Sequence, residues 1–245
     1  MKLVFIRHGD PDYEKDSLTE KGFREASLLA EYLYQTHFHM DHCYVSPLGR
    51  AKDTARFTLE KLQAQAVEME WLKEFPCRIW RPDTDDKKMI CWDWLPADWT
   101  VNDDFYSYEH WIKNERMSEG EVGEEYRRVT SAFEELLNKH GYKKEGRVFI
   151  AERANNETIV FFCHFGITAV LLSYLLSVSP MILWHNFVAA PSSVTSVVTE
   201  ERRKGIASFR VTGYADISHL KNADEPAAPA ARFCECFDND DERHD

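Results

Sequence analysis

The sequence predicts an α/β fold, a three-layer sandwich built on a mostly parallel central sheet. Three observations predict it. Short apolar and β-branched runs alternate with segments of helical period, the pattern of strands joined by crossover helices. Two of those runs end in a histidine, His8 and His164, close to an expected strand end, where parallel sheets carry their ligands. The 245 residues, 44% of them hydrophobic, can fill one large core and bury roughly 70–75% of the surface that the unfolded chain exposes.

Taken in order, residues 2–6 read as a buried strand that ends at Arg7-His8-Gly9-Asp10-Pro11. Ser17-Leu18-Thr19-Glu20 has the spacing of a capping box, and Phe23, Ala26, Leu29, Ala30 and Leu33 line one side of the helix it opens. Cys43-Tyr44-Val45 is a short strand. After it, Ser46 is placed to cap a second helix and Pro47 to occupy its first position. That helix buries Ala51, Ala55, Leu59 and Leu62, and residues 67–72 read as another strand.

Between 78 and 117 the period is lost, in a stretch that holds five of the seven tryptophans and seven aspartates. It reads as a cap inserted over the strand ends. Helical period returns over 121–138, with Tyr126, Val129, Phe133, Leu136 and Leu137 on one face. Residues 159–163 form a strand that stops at His164-Phe165-Gly166, and the next helix buries Ile167, Val170, Leu171, Tyr174 and Leu175. Two β-rich runs, about 193–199 and 206–213, close a domain expected to span 1–221. Residues 222–245, rich in Ala and Pro and then acidic, read as a flexible tail.

Charge narrows the partners. Thirty basic against 42 acidic residues give a net charge of −12, which makes a poor bulk ligand for nucleic acid or an anionic membrane. The longest largely apolar run, 167–178, is 12 residues, short of the roughly 18–20 that span a bilayer. The N-terminal apolar stretch is too short for a signal peptide, and Cys43 and Cys163 lie in apolar runs as reduced thiols would. The expectation is a cytoplasmic protein whose partner is a small molecule. Any anion it binds needs a local cluster of positive groups.

Such a cluster is present in the pattern. Arg7 and His8 follow the first strand, Arg50 opens the second helix and His164 follows a later strand. Helix N-termini present unpaired N–H donors and the positive end of the dipole. Arginine forks match phosphate oxygens, and a neutral imidazole beside them can attack phosphorus.

At these residues the chain resembles the histidine phosphatase superfamily, the phosphoglycerate mutase-like fold. The matching segments are Arg7-His8-Gly9, the block from Ser46-Pro47-Leu48-Gly49-Arg50 through Ala51-Lys52-Asp53-Thr54-Ala55, and Cys163-His164-Phe165-Gly166, with Asp216-Ile217-Ser218-His219-Leu220 as an echo of a closing segment. The resemblance implies a phosphomonoesterase in which His8 becomes a phosphohistidine while Arg7, Arg50 and His164 hold the non-bridging oxygens, with no cofactor and no metal. A carboxylic acid protonates the departing alkoxide. One branch of the superfamily places it directly after the second histidine, where this chain has Phe165; the other takes a glutamate after the third strand, which Glu74 fits ahead of Glu68 and Glu70. The loop after Asp10 lacks the Ser-x-Trp-Asn continuation of true phosphoglycerate mutases, and a second basic cluster for a bisphosphorylated intermediate is not found. Both points rank hydrolysis above mutase chemistry, with a non-catalytic phosphate-ligand-binding or regulatory protein as a third reading.

Other features compete. His37-Phe38-His39-Met40-Asp41-His42 matches the zinc motif of the metallo-β-lactamase fold as a string, but it follows a helix rather than a strand and reads as a polar loop. Cys234-Glu235-Cys236 offers two thiols, fewer than a closed metal site needs. Arg81, at the start of the insertion, is a candidate for a second anionic group of the substrate.

Overall fold

In the computed structural model, which describes residues 1–84 and 86–244, the first apolar run forms β1 (Lys2–Arg7). Asp85 of the insertion and Asp245 of the tail lie outside the described residues. A small ribbon, β2 (Pro11–Asp12) with β3 (Ser17–Leu18), precedes α1 (Glu20–Gln35). The capping box expected from Ser17 is corrected here: Ser17 and Leu18 pair with Asp12 and Pro11, and Thr19 is the cap, its Oγ1 accepting the Gly22 N–H at 3.0 Å. β4 (His42–Val45) leads to α2 (Gly49–Leu62). Neither Ser46 nor Pro47 starts that helix; Leu48 holds the cap position, and the Ser46 hydroxyl faces His164 instead. β5 is only Val67–Glu68, because the chain then closes a 3-10 turn that sends Trp71 and Leu72 into the core.

The insertion contains a two-strand ribbon, β6 (Arg78–Ile79) with β7 (Met89–Ile90), and two short helices, α3 (Pro96–Trp99) and α4 (Glu115–Glu119). Then follow α5 (Val122–Lys139), β8 (Tyr142–Glu145), β9 (Val148–Ala151), β10 (Thr158–Cys163), α6 (Phe165–Leu176) and α7 (Pro180–Asn186). The antiparallel pair β11 (Val194–Arg203) and β12 (Ile206–Asp216) and the short α8 (Ser218–Lys221) complete the domain. The sequence reading has no counterpart of β8, β9 or α7. Their signals are local: Gly146 turns the hairpin at φ +60°, and the Ser179 hydroxyl accepts the Met181 N–H with Pro180 in the first turn.

Eight strands form the central sheet in the order β5-β4-β10-β1-β11-β12-β9-β8. The expected mostly parallel sheet is parallel from β5 through β1, and antiparallel from β1 onward, where the β11–β12 and β8–β9 hairpins pair with β1 and with each other. Alternation along the strands separates two apolar layers. Val4 and Ile6 of β1, with Val160 and Phe162 of β10, pack on Leu29, Leu33, Ala51 and Ala55 of α1 and α2. Leu3 and Phe5, with Ile159 and Phe161, pack on Phe133, Leu137, Val170 and Leu171 of α5 and α6. Each fully buried side chain of this size contributes about 1.5–3 kcal/mol. The insertion joins the second layer: Trp94, Phe105, Trp111 and Met117 belong to the same continuous core. Among the described residues, no helix is long and apolar enough to cross a membrane.

Candidate active site

The carboxyl ends of β1 and β10 lie side by side, Arg7 opposite Cys163, so the loops that follow place His8 and His164 together. Their ring centroids are 5.1 Å apart. His8 is anchored through its backbone, whose N–H donates to the Cys163 carbonyl at 3.0 Å and whose carbonyl accepts from Ser192 at 2.9 Å. The next residue must be small: a Cβ on Gly9 would meet the Gly22 carbonyl oxygen of α1 at 2.7 Å. The Gly9 N–H donates to Thr54 Oγ1, and that hydroxyl donates to the Arg50 carbonyl, tying the histidine loop to the first turns of α2.

Hydrogen bonding defines the tautomers. His8 Nδ1 lies 2.7 Å from the Gly9 carbonyl oxygen. A carbonyl only accepts, so Nδ1 carries the proton and Nε2 keeps its lone pair. Burial above all, then the charges of Arg7 and Arg50, hold His8 well below the ordinary imidazole value of 6.5, against the opposing pull of the Gly9 carbonyl. His8 is therefore a neutral imidazole at physiological pH. His164 Nε2 lies 2.7 Å from Ser46 Oγ, which already accepts the Leu48 N–H and so has its own proton free to donate. This assignment puts the His164 proton on Nδ1. Burial, helped by His8, Arg50 and Arg7, depresses His164 as well.

The two guanidiniums are held from behind. Arg7 donates through Nη1 to the Ala189 carbonyl, and Arg50 donates through Nη1 to Asp16 Oδ1 at 2.6 Å. Phe165 lies against Arg7, its ring centroid 5.8 Å from Cζ, and the Tyr13 ring lies 5.4 Å from Arg50 Cζ. Arg7 Nε, Arg50 Nε and His164 Nδ1 are buried with no hydrogen-bond partner among the described residues. A donor left so costs about 1–3 kcal/mol. Three of them on the residues that surround His8 suit an anion with three free oxygens.

Glu74 reaches the first turn of α6. Its Oε1 accepts the N–H groups of Phe75 at 2.8 Å and Ile167 at 2.9 Å, and its Oε2 accepts that of Gly166 at 3.2 Å. Burial raises its pKa above the carboxylate norm, opposed by those three N–H groups and by the nearby Arg7. Gly166 is required for this seat, since a Cβ there would meet both Glu74 Oε1 and Trp92 Nε1 at 2.7 Å. Trp92, from the insertion, packs edge-on against Phe165 and roofs this side of the site.

Arg81 is placed differently from the expectation. Its Nε and Nη2 form a fork on the Asp83 carboxylate at 2.6 and 2.8 Å, and its Nη1 donates to the Asp93 carbonyl. With those donors engaged, Arg81 braces the cap and does not present a free fork where a second anionic group of a substrate was expected. The histidine string of residues 37–42 also fails to converge: His39 pairs with Asp41, while His42 faces Glu157. Sequence reasoning missed Asp16, Ser46 and Thr54 as parts of the site. Ser46 and Thr54 lie inside the block that carries Arg50; Asp16 carries no signal beyond belonging to a residue type that tolerates the left-handed conformation it adopts, φ +47°.

Comparison with known proteins places the chain in a class. The family model of the histidine phosphatase superfamily (branch 1) matches residues 3–212, and the chain belongs to that superfamily. Among solved structures, it is similar in fold to a mutant phosphoserine phosphatase from Entamoeba histolytica bound to phosphoserine (TM-score 0.56, 19% identity, 89% of this chain and 98% of that one). It is also similar to the alpha-ribazole phosphatase from Shigella flexneri (TM-score 0.52, 19% identity, 89% and 98% covered). Among curated sequences it matches a 2,3-bisphosphoglycerate-dependent phosphoglycerate mutase from Treponema pallidum, 37% identical over 81 residues. That match covers 29% of this chain and 30% of the relative, so the chain aligns with less than a third of the mutase.

Proposed function

We propose that the protein is a cytoplasmic phosphomonoester hydrolase that acts on a small phosphorylated metabolite through a phosphohistidine at His8, without a metal ion. The observation that carries this reading is the neutral His8 Nε2 lone pair, surrounded by three residues whose buried nitrogens lack partners. The ester phosphate takes its free oxygens to Arg7, Arg50 and His164, which offset the charge that builds on them during transfer. His8 Nε2 forms the bond to phosphorus as the ester P–O bond breaks, and the departing alkoxide takes the proton of Glu74. Glu74, now a carboxylate, removes a proton from water. The resulting oxygen displaces His8, releasing inorganic phosphate and restoring both side chains.

The short match to phosphoglycerate mutases favours mutase chemistry as a second reading. Against it stands Arg81, whose fork is closed on Asp83 and offers no second basic cluster for a bisphosphorylated intermediate. Phosphate release from a panel of small esters, in excess chelator, tests the proposal. Turnover should persist in chelator and vanish in His8→Ala. Release that chelator abolishes refutes it, and phosphoryl exchange between phosphoglycerates without release supports the mutase.

A further inference from the structure

At the opposite, amino-terminal end of the parallel strands, His42 at the start of β4, His140 at the end of α5 and Glu157 just before β10 present one ligand atom each, all within 4.8 Å of one another. β10 runs six residues from there to the active site, a distance of about 20 Å. His140 Nδ1 lies 2.6 Å from Glu157 Oε2, and His42 Nε2 lies 3.9 Å from the same oxygen. The second separation is too long for a hydrogen bond. Donors about 2.0–2.2 Å from a tetrahedral zinc stand roughly 3.3 Å apart, between these two separations, so small side-chain shifts bring all three groups onto one ion.

The frame around these side chains is built rather than loose. Asn155 donates to the His140 carbonyl at 2.8 Å and accepts the Glu157 N–H at 3.1 Å. Asp41, next to His42, exchanges two bonds with Thr158, next to Glu157: its N–H donates at 2.9 Å and its Oδ2 accepts at 2.8 Å. All three segments are thereby cross-linked before any ion arrives. The Tyr44 hydroxyl lies 3.3 Å from His140 Nε2 and can accept its proton once Nδ1 turns to a metal, the usual outer partner of a ligating histidine. The Met1 ammonium, the nearby positive charge, is engaged by the Asn155 carbonyl and Thr199 Oγ1.

We propose that His42, His140 and Glu157 bind one divalent transition-metal ion of the zinc or cobalt class, with water completing the shell on the half-exposed His42 side. Two imidazoles and one carboxylate are the donor set such ions take. The ion clamps the end of α5 to β4 and β10 and stabilises the fold; His140 binds as the neutral ring, its one proton passing through solvent from Nδ1 to Nε2, where the Tyr44 hydroxyl accepts it. It takes no part in phosphoryl transfer at His8.

The test is calorimetric titration of Zn2+ into the full-length protein after dialysis against EDTA. The background is Cys234→Ser/Cys236→Ser, because Cys234 Sγ lies 3.7 Å from His244 Nδ1 and could bind zinc itself. One equivalent should bind, with affinity at least about tenfold lower in His42→Ala and in Glu157→Gln. Zinc at 100-fold excess over Kd should raise the melting midpoint by about 5–10 °C, a rise lost in His42→Ala, while phosphate release is the same in that variant. His42 is half-exposed, so the melting of His42→Ala in EDTA should equal that of the parent. Absence of binding in the parent, or one equivalent that survives both substitutions, overturns the proposal.

Discussion

Asp16 Oδ1 accepts from Arg50 Nη1 at 2.6 Å while Asp16 Oδ2 accepts the Gly49 N–H at 2.7 Å. One carboxylate thus orients the guanidinium and takes up a free N–H at the start of α2, so the arginine and the helix end move as a unit. The first prediction concerns this brace. Asp16→Ala should leave the Arg50 charge in place but free its fork, lowering kcat/KM by about tenfold to a hundredfold. Asp16→Asn, which keeps one of the two accepting oxygens, should recover part of the loss. Steady-state kinetics on one phosphoester checks both variants. Equal losses in the two would assign the effect to charge rather than to orientation.

How much of this site was legible depends on distance along the chain. Arg7, His8, Arg50 and His164 each stand at the end of a strand or the start of a helix, and apolar periodicity alone locates such ends. Glu74 was reachable only through the family resemblance, which implies a glutamate after the third strand; the strand itself, β5, is shorter than its apolar pattern suggests. Asp16 could not be reached, since its partner is 34 residues away and the loop between β2 and β3 has no period. The same reason hid the fate of Arg81: a charge in an aperiodic aromatic stretch gives no sign of the aspartate it will close upon. In the sheet, alternation identified the buried strands but not their direction, which the β8–β9 and β11–β12 hairpins reverse.

The seat of Glu74 gives a second prediction. A methyl group on Gly166 would stand 2.7 Å from Glu74 Oε1 and from Trp92 Nε1. The carboxyl cannot remain there, and Trp184 Nε1, which donates to the Gly166 carbonyl at 3.0 Å, holds the backbone against retreat. Gly166→Ala should therefore lower kcat by about a hundredfold or more with little change in KM, since the added methyl meets Glu74 and Trp92 and none of Arg7, Arg50 and His164. A rise in KM at constant kcat would show that the acid is undisturbed.

Acid should destabilise the fold through buried neutral histidines. Burial lowers His219 from 6.5 to about 4, and its Nε2 lies 2.8 Å from Ser192 Oγ. The unfolded residue takes up a proton below about pH 6.5 and the folded one only below about pH 4. Stability is thus lost as pH falls from 6.5 to 4 and is independent of this residue above and below that window. The shift corresponds to about 3 kcal/mol, or roughly 6–12 °C in melting midpoint for a chain of this size. His219→Gln should melt closer to the same temperature at pH 7 and pH 4.5, the remaining slope including His185, also lowered to about 4. An unchanged slope in the variant would refute the assignment.

Finally, the environment of Glu74 predicts how chemistry and pH are linked. Burial raises its pKa while His8 is held well below 6.5. The nucleophile stays neutral far into the acid range, whereas the proton for the leaving group is lost as pH rises through the Glu74 pKa. For an alkyl phosphate, kcat should therefore fall on the alkaline side, and Glu74→Gln should slow turnover by about 10²–10⁴-fold and remove that limb. An aryl phosphate with an acidic phenol needs no proton to depart, so its first step should survive in Glu74→Gln. Hydrolysis of the phosphohistidine still lacks a base to activate water. Phosphate should then accumulate on His8: a burst of phenol approaching one equivalent, followed by slow turnover, with acid-labile phosphate on the protein. A burst-free reaction with the same rate as wild type would show that Glu74 serves neither step.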